Sequence, residues 1–234
     1  MQYNMIKTVL DSGHKYIRIV NLTGTDYPTM PNEIIIKTFL DCSKEFIIGF
    51  RFKGQENVNK KHPKNMKNKV LYWHFNDSNS FIRLLGGKIR RYRNYDNIGY
   101  DFYFGSEYWG LTREILERLI EDYEKDIKLR KCLKYAFAPS EIWIHTLFFN
   151  SIFKCKGIIY GSTYKGLSEL SPLEYFEYGS CIKILTEDDF ERIVQSRKMF
   201  IRKVDFEKSS KLITLLNKHR QEMTIKEIDC IVDN

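Results

Sequence analysis

Two acidic residues stand where a predicted strand or loop gives way to a helix. Glu107, in FGSEYW (104–109), follows a predicted strand, and Glu141, in FAPSEIWIHTLFFNS (137–151), comes directly after Ser140. Ligands of α/β proteins bind at the carboxyl ends of strands, and the helix dipole favours an ionised carboxylate in a first helical turn. An ionised carboxylate can act as a general base on a substrate hydroxyl.

Structural roles explain the same residues. Acidic residues are common in first helical turns for stability alone, and Glu107 could be a polar turn residue. His145 lies four residues after Glu141 and shares its helical face, so the two could form a structural hydrogen bond. On pattern alone, two carboxylates also fit a glycosidase. Spacing therefore leaves the chemistry open.

A basic pair, Arg202 and Lys203, lies in the segment MFIRKVD (199–205), which is predicted to be extended. Because neighbouring side chains of a strand point to opposite faces, only one of the pair can point inward. A buried cation is costly unless it meets an anion. At least one of the two is therefore expected at the surface.

The composition is that of a folded, basic protein. The 234 residues are 43% hydrophobic and 15% aromatic, and the formal net charge is +8. This length is enough for one domain with a sizeable core. The charge favours anionic partners such as nucleic acids, anionic lipid surfaces or nucleotide phosphates, without choosing among them. The densest basic stretch, KKHPKNMKNK (60–69), is predicted to be a solvated surface loop.

Cysteine usage and hydropathy exclude several classes of protein. The five cysteines are scattered and form no C-x-x-C pair, which argues against a zinc cluster and a disulfide framework. No segment approaches the roughly 18 uninterrupted apolar residues of a membrane span, and the first residues show no signal-peptide pattern. We therefore expect a cytoplasmic protein, with peripheral membrane association as a further option.

Strands and helices are predicted to alternate along one domain. Strands are expected over 15–22, 44–52, 70–75, 100–104 and 156–162, with an extended segment over 198–205. Helices are expected over 2–11, 31–41, 112–126, 185–196 and 207–219, and from residue 140 onward. This alternation predicts an α/β fold with a mixed, mostly parallel sheet.

Four motifs in this order resemble glycosyltransferase family 14. They are NLTGTDYPTMPNEI (21–34), FGSEYWGLTRE (104–114), APSEIWIHTLFFNS (138–151) and LTEDDFERIVQSRKMFIRKVD (185–205). That family contains the core-2/I-branching β-1,6-N-acetylglucosaminyltransferases, the peptide O-xylosyltransferases and many bacterial relatives. The resemblance implies a GT-A-like fold over residues 1–215, followed by a C-terminal tail over 216–234.

The implied activity is inverting transfer of a sugar, with GlcNAc expected, from a UDP-sugar to a surface glycan. The resemblance implies that no metal is needed, because TGTDYP (23–28) stands where a metal-binding D-x-D motif would lie. No other cofactor and no nucleic-acid partner is expected. Glu141 matches the catalytic base of the branching enzymes, whereas Glu107 stands where the xylosyltransferases have an acidic base. Which of the two is the base stays open. Lys203 and Arg202 match residues that bind the donor diphosphate.

The resemblance also assigns acceptor or sugar contacts, and it has departures. Tyr160, Trp109 and Asp26 are the expected contacts. Ser180 stands near a second phosphate-binding arginine of the family, for which Lys183 could substitute. Only about twenty residues precede the first motif, where family members have a Rossmann-like half, so we expect an N-terminally incomplete domain. The alternative is a non-catalytic glycan- or nucleic-acid-binding module, or an inactive fragment.

Overall fold

The computed structural model describes residues 1–53, 66–75, 79–161 and 167–223. Its α-helices are α1 (Gln2–Asp11), α2 (Asn32–Asp41), α3 (Asn68–Leu71), α4 (Ser80–Leu85), α5 (Arg113–Lys125), α6 (Ile127–Leu133), α7 (Trp143–Asn150), α8 (Phe190–Ser196) and α9 (Ser210–Glu222). Its strands are β1 (Arg18–Val20), β2 (Asp26–Pro28), β3 (Ile48–Arg51), β4 (Tyr103–Phe104), β5 (Gly110–Thr112), β6 (Ile158–Ile159), β7 (Glu174–Tyr175) and β8 (Phe200–Arg202). Short 3-10 segments include Pro139–Glu141 and Glu187–Asp189.

The strands form three small sheets. β1 pairs with β5, β8 lies between β2 and β7, and β3 lies between β4 and β6. The predicted mixed α/β class is confirmed, but the expected parallel majority is not found. Three of the five strand pairs in the described ranges are antiparallel. Among the described elements, only β7, α8 and β8 follow one another as a strand–helix–strand unit that joins adjacent parallel strands.

Local sequence signals located several elements correctly. The helices predicted over 31–41 and 112–126 are confirmed as α2 and α5, and α5 buries Ile115, Leu116, Leu119 and Ile120. Thr112 precedes α5, but its hydroxyl donates to Glu45 Oε1 at 3.0 Å instead of capping the helix. The strand predicted over 70–75 is wrong, because its first two residues end α3.

The core has one main cluster and two smaller ones. The main cluster packs α1, α5 and α7 against β3 and β4, and α7 is buried from Trp143 to Phe149. The smaller clusters lie under α2, and between β8, α8 and α9. Helix α9 continues through residue 215, and Leu216 is fully buried against the rest of that cluster.

A buried ion pair fastens β1 to β5. Arg18 Nη1 lies 2.9 Å from Glu45 Oε2, and the two side chains are only 4% and 2% exposed. Glu45 also accepts hydrogen bonds from the amide and the hydroxyl of Thr112, at 2.8 and 3.0 Å. The guanidinium of Arg18 lies over the ring of Phe46, 5.0 Å from its centroid. Removing one member would leave an uncompensated charge in the core.

We expect the substitution Glu45→Gln to lower the free energy of unfolding by about 3–5 kcal/mol, because Arg18 then stays buried without a counter-charge. Urea denaturation followed by circular dichroism measures this change. The control, Glu124→Gln, breaks the exposed Lys7–Glu124 pair and should leave the unfolding midpoint nearly unchanged. Equal effects of the two substitutions would contradict the structural role of the buried pair.

Candidate active site

Glu141 ends the 3-10 turn Pro139–Glu141, just before α7. Its main-chain carbonyl accepts a hydrogen bond from the Gly105 amide at 3.0 Å, which ties this turn to the segment after β4. Its side chain is 25% exposed, and Oε2 lies 3.1 Å from Lys69 Nζ. The carboxylate therefore sits at the border between the core and solvent, with one cation beside it.

Lys69, on α3, is held by aromatic rings as well as by Glu141. Its ammonium lies 4.0 Å from the centroid of Phe104 and 5.2 Å from that of Phe137, which is favourable for a cation. Burial lowers the pKa of Lys69, against the opposing effect of Glu141. The prediction that residues 60–69 form a solvated loop is wrong for Lys69; residues 60–65 lie outside the described ranges.

The pKa of Glu141 shows the reverse balance. Burial raises it, Lys69 opposes the rise, and the nearby charge of Glu107 adds to it. The expectation that the helix terminus favours the ionised form does not describe this carboxyl, because desolvation is the largest effect on it. A raised pKa makes the carboxylate a stronger base than an exposed glutamate.

His145 does not hydrogen-bond to Glu141. It lies on α7, is fully buried, and neither ring nitrogen has a hydrogen-bond partner among the described residues. Burial lowers the pKa of His145 to about 3, so the imidazole is neutral. The ring packs tightly on Gly105, where an added Cβ would lie 2.2 Å from Nε2. The proposed Glu141–His145 bond is wrong because Glu141 lies in the 3-10 turn and not in α7.

Glu107 lies in the turn between β4 and β5, next to Glu141. Its carboxylate accepts a hydrogen bond from the hydroxyl of Ser140, the residue before Glu141. Its main-chain carbonyl accepts a hydrogen bond from Asn21 Nδ2 at 2.9 Å, which holds the turn against the segment after β1. The fold thus brings together the two carboxylates that the sequence singled out.

Tyr178 connects these carboxylates to β8. Partial burial raises the pKa of its hydroxyl; the charge of Glu141 adds to the rise, Arg202 opposes it, and Glu107 adds a smaller contribution. One phenol therefore lies within electrostatic reach of both acids and of the Arg202 guanidinium. The Tyr178 side chain is also accessible to solvent, since the residue is 56% exposed.

Arg202 is held by Asp26 across the β2–β8 pair. The two residues are direct partners in the register, and Arg202 Nη1 lies 3.3 Å from Asp26 Oδ1. Asp26 also accepts hydrogen bonds from the Thr23 amide at 2.5 Å and the Thr23 hydroxyl at 2.7 Å. The guanidinium lies over Tyr108, 5.2 Å from the ring centroid. Arg202 is thus the inward-pointing member of the predicted basic pair.

The model of the Core-2/I-branching enzyme family matches residues 1–159. The chain belongs to this family. The match covers both carboxylates, Lys69 and Asp26, and it supports glycosyltransferase activity in general. It ends before Arg202, so β8 joins the site through the contacts of the fold. A search of curated proteins found no match.

Near the Asp26–Arg202 pair lies a second acid, Glu174. It is on β7, beside β8, and is 0% exposed; neither carboxyl oxygen has a hydrogen-bond partner among the described residues. Burial, and next the proximity of Asp26, raise the pKa of Glu174 to about 10, although Arg202 opposes the shift. Glu174 is therefore a neutral carboxylic acid at pH 7.

Three other predicted site residues form no hydrogen bond or ion pair with the carboxylates of Glu107 and Glu141 in the described part of the chain, although the Trp109 amide donates to the Glu107 main-chain carbonyl at 3.2 Å. Lys203 follows β8 and is half-buried, and its main-chain carbonyl accepts a hydrogen bond from the Leu185 amide at 2.9 Å. Tyr160 donates its hydroxyl to Glu169 at 2.5 Å. Trp109 packs in the main core and is 1% exposed. Their proposed roles in binding diphosphate or sugar stay predictions.

Two further observations concern possible ligands and membranes. Among the described residues, no group of three or more His, Cys, Asp or Glu side chains is arranged to hold a metal ion. None of the helices within those same ranges is both long and apolar enough to span a bilayer. Lys183, considered as a substitute phosphate ligand, instead pairs with Asp189 at 2.6 Å.

Sequence reasoning missed Lys69, Tyr178 and Glu174. Lys69 had a local signal, since it is the last basic residue before the apolar run VLYW and so marks where the chain turns inward. Tyr178 and Glu174 had none, because their importance comes from residues far away in the chain. Only pairing of β7 with β8 brings Glu174 next to the Asp26–Arg202 pair.

Replacing Lys69 with Met removes the one effect that lowers the pKa of Glu141. We expect the pKa of Glu141 to rise further, because burial then acts on the carboxylate without a neighbouring cation. Carboxyl ¹³C NMR titration measures it, with the resonance assigned by its absence in Glu141→Gln. The control, Lys125→Met, disrupts an exposed pair with Glu121 and should not move the titration. An unchanged Glu141 titration in Lys69→Met would show that the ion pair does not form.

Glu174 should make stability depend on pH. Its folded pKa is raised to about 10, above the unfolded value of about 4.3, so the folded state retains a proton that the unfolded state loses. Between these values stability falls as pH rises, by about 1.4 kcal/mol per pH unit from this group. We expect Glu174→Gln to remove this slope between pH 6 and 9 in urea denaturation. Parallel pH profiles of the two proteins would refute the neutral buried acid.

Proposed function

We propose that this chain is an inverting, metal-independent glycosyltransferase of GT-A-like fold that acts in the cytoplasm. It transfers a sugar, with GlcNAc as our expectation, from a UDP-sugar to a hydroxyl of a surface glycan. The observation that carries the proposal is that Glu107 and Glu141, both half-buried, lie next to each other inside the region matched by the family model.

Glu141 is the proposed general base. Burial makes its carboxylate more basic, and Lys69 at 3.1 Å supplies the charge that keeps the ionised form accessible. Glu141 takes the proton of the acceptor hydroxyl while the oxygen attacks the anomeric carbon. The bond from that carbon to the diphosphate oxygen breaks, and its electron pair leaves with UDP. A single displacement of this kind inverts the anomeric configuration.

Glu107 is the proposed positioning group for the acceptor. Ser140 already donates a hydrogen bond to one of its carboxylate oxygens, which fixes the orientation of the group. The remaining acceptor capacity suits a second sugar hydroxyl, so that the attacking oxygen is held near Glu141. This division assigns proton transfer to one acid and substrate orientation to the other.

The proposed diphosphate site lies at the end of β8. Asp26 balances the charge of Arg202. Arg202 would therefore contribute to the diphosphate site mainly by donating directed hydrogen bonds and not by adding net positive charge. Lys203 follows it and forms no ion pair with a carboxylate of the described residues. Its ammonium is therefore the proposed source of net positive charge for the departing diphosphate.

The substitution Glu141→Gln should lower turnover by about 100-fold or more while leaving UDP affinity unchanged, because only the base is lost. Glu107→Gln should mainly raise the KM for the acceptor. Lys203→Met should weaken UDP binding. UDP release from a panel of UDP-sugars and glycan acceptors measures turnover, and calorimetry measures UDP binding.

The matched control is Glu121→Gln, on the exposed side of α5, which should change none of these quantities. Unchanged turnover in both Glu141→Gln and Glu107→Gln would overturn the catalytic assignment. Glycan or RNA binding by a chain that neither binds UDP nor turns over UDP-sugars would instead establish the non-catalytic binding module.

A further inference from the structure

Residues 81–93 form a surface that concentrates exposed apolar side chains. Helix α4, at its start, has no buried residue. Phe81 is 75% exposed and Leu84 is 65% exposed, and the other large apolar residues exposed here are Ile82, Leu85 and Ile89. Five exposed apolar side chains within nine residues form a patch of the kind that is found at interaction sites of proteins.

Basic side chains are interleaved with these apolar ones. They are Arg83, Lys88, Arg90 and Arg93, and the sequence contains no acidic residue from 79 to 95. None of the four forms an ion pair with a carboxylate of the described residues. Arg91 differs, because it points inward: it donates to the Cys132 carbonyl at 2.7 Å and lies over Trp73.

The 81–93 surface is a structured element. The Trp73 amide donates to the Ile89 carbonyl at 3.1 Å, and the Gly87 amide donates to the Trp73 carbonyl at 2.8 Å. The Asn79 side chain caps α4 by accepting a hydrogen bond from the Ile82 amide at 3.1 Å. These hydrogen bonds fix the backbone of the 81–93 surface, so its apolar side chains are exposed to solvent at a defined position.

We propose that the 81–93 surface docks the chain on an anionic bilayer. Phe81 and Leu84 would enter the boundary between headgroups and acyl chains, and the four cations, which have no carboxylate partner among the described residues, would meet lipid phosphates. A bilayer satisfies both kinds of side chain. Nucleic acid would engage the cations and stack on Phe81, but it would leave the isoleucines and leucines in water. The inference does not depend on whether the chain transfers a sugar.

Docking at this surface would also orient the candidate active site. The segment that anchors the surface continues directly from α3, which carries Lys69. The His74 amide donates to the Tyr135 carbonyl at 2.9 Å, and the Phe137 amide donates to the Lys69 carbonyl at 2.8 Å. These hydrogen bonds join the segment that anchors the 81–93 surface to the segment that leads into Glu141. We therefore expect the surface and the candidate active site to keep a fixed orientation to each other.

Vesicle co-sedimentation tests the proposal. The wild-type chain should bind vesicles of phosphatidylglycerol and phosphatidylcholine, and should bind pure phosphatidylcholine about ten-fold more weakly or worse. The double variant Phe81→Ser/Leu84→Ser should lose at least about ten-fold in partitioning to the anionic vesicles. Arg83→Glu/Lys88→Glu should abolish the preference for anionic lipid. Circular dichroism confirms that each variant is folded.

The matched control is Ile152→Ser/Phe206→Ser, which removes an aliphatic and an aromatic side chain of similar exposure elsewhere. It should bind vesicles like the wild type. Equal loss of binding in the control, or no binding of wild type to anionic vesicles, would overturn the proposal. So would binding of a single-stranded RNA, or self-association in ultracentrifugation, that depends on Phe81 and Leu84 while vesicle binding does not.

Discussion

The buried ion pair between Arg18 and Glu45 is the interaction on which the candidate active site depends. It holds β1 beside β5, so that the chain leaving β1 meets the turn before β5. There Asn21 donates its side chain to the Glu107 carbonyl and its amide to the Trp109 carbonyl. The position of the Glu107 carboxylate is therefore set by an ion pair that does not touch it. Because neither charge can be buried alone, the two strands cannot separate without a large cost.

The surroundings of the two carboxylates differ, and this difference separates their chemistry. Glu141 faces one ammonium that is itself desolvated over Phe104, so each charge of that pair depends on the other. Glu107 instead accepts from the neutral hydroxyl of Ser140. Two nearby acids whose environments differ are the arrangement by which one fold assigns a proton-transfer role to one acid and a binding role to the other.

Local patterns identified the acids but could not identify their partners. The Pro and early Glu at the start of α2 and the apolar spacing of α5 are signals within a few residues, and these two helices were predicted well. The helix expected from residue 140 begins only at Trp143, after a 3-10 turn. Lys69, the cation that pairs with Glu141, lies 72 residues earlier in the chain. A local sequence pattern carries no information about a partner at that separation. His145 was the partner suggested by helical spacing, and a 3-10 turn in place of an α-helical one removed it. Strands of two to four residues likewise carry too little periodicity to fix their neighbours.

The ion pairs of the described residues show where part of the net charge of +8 lies. At the candidate active site Lys69 is matched by Glu141 and Arg202 by Asp26, and Glu174 avoids a further charge by keeping its proton. Within the described residues, cations without carboxylate partners include Lys203 after β8 and four on the 81–93 surface, where they lie among exposed apolar side chains. The charges beside Glu141 and Asp26 are balanced in pairs, whereas we propose that the positive charge of the 81–93 surface is matched by a partner outside the chain.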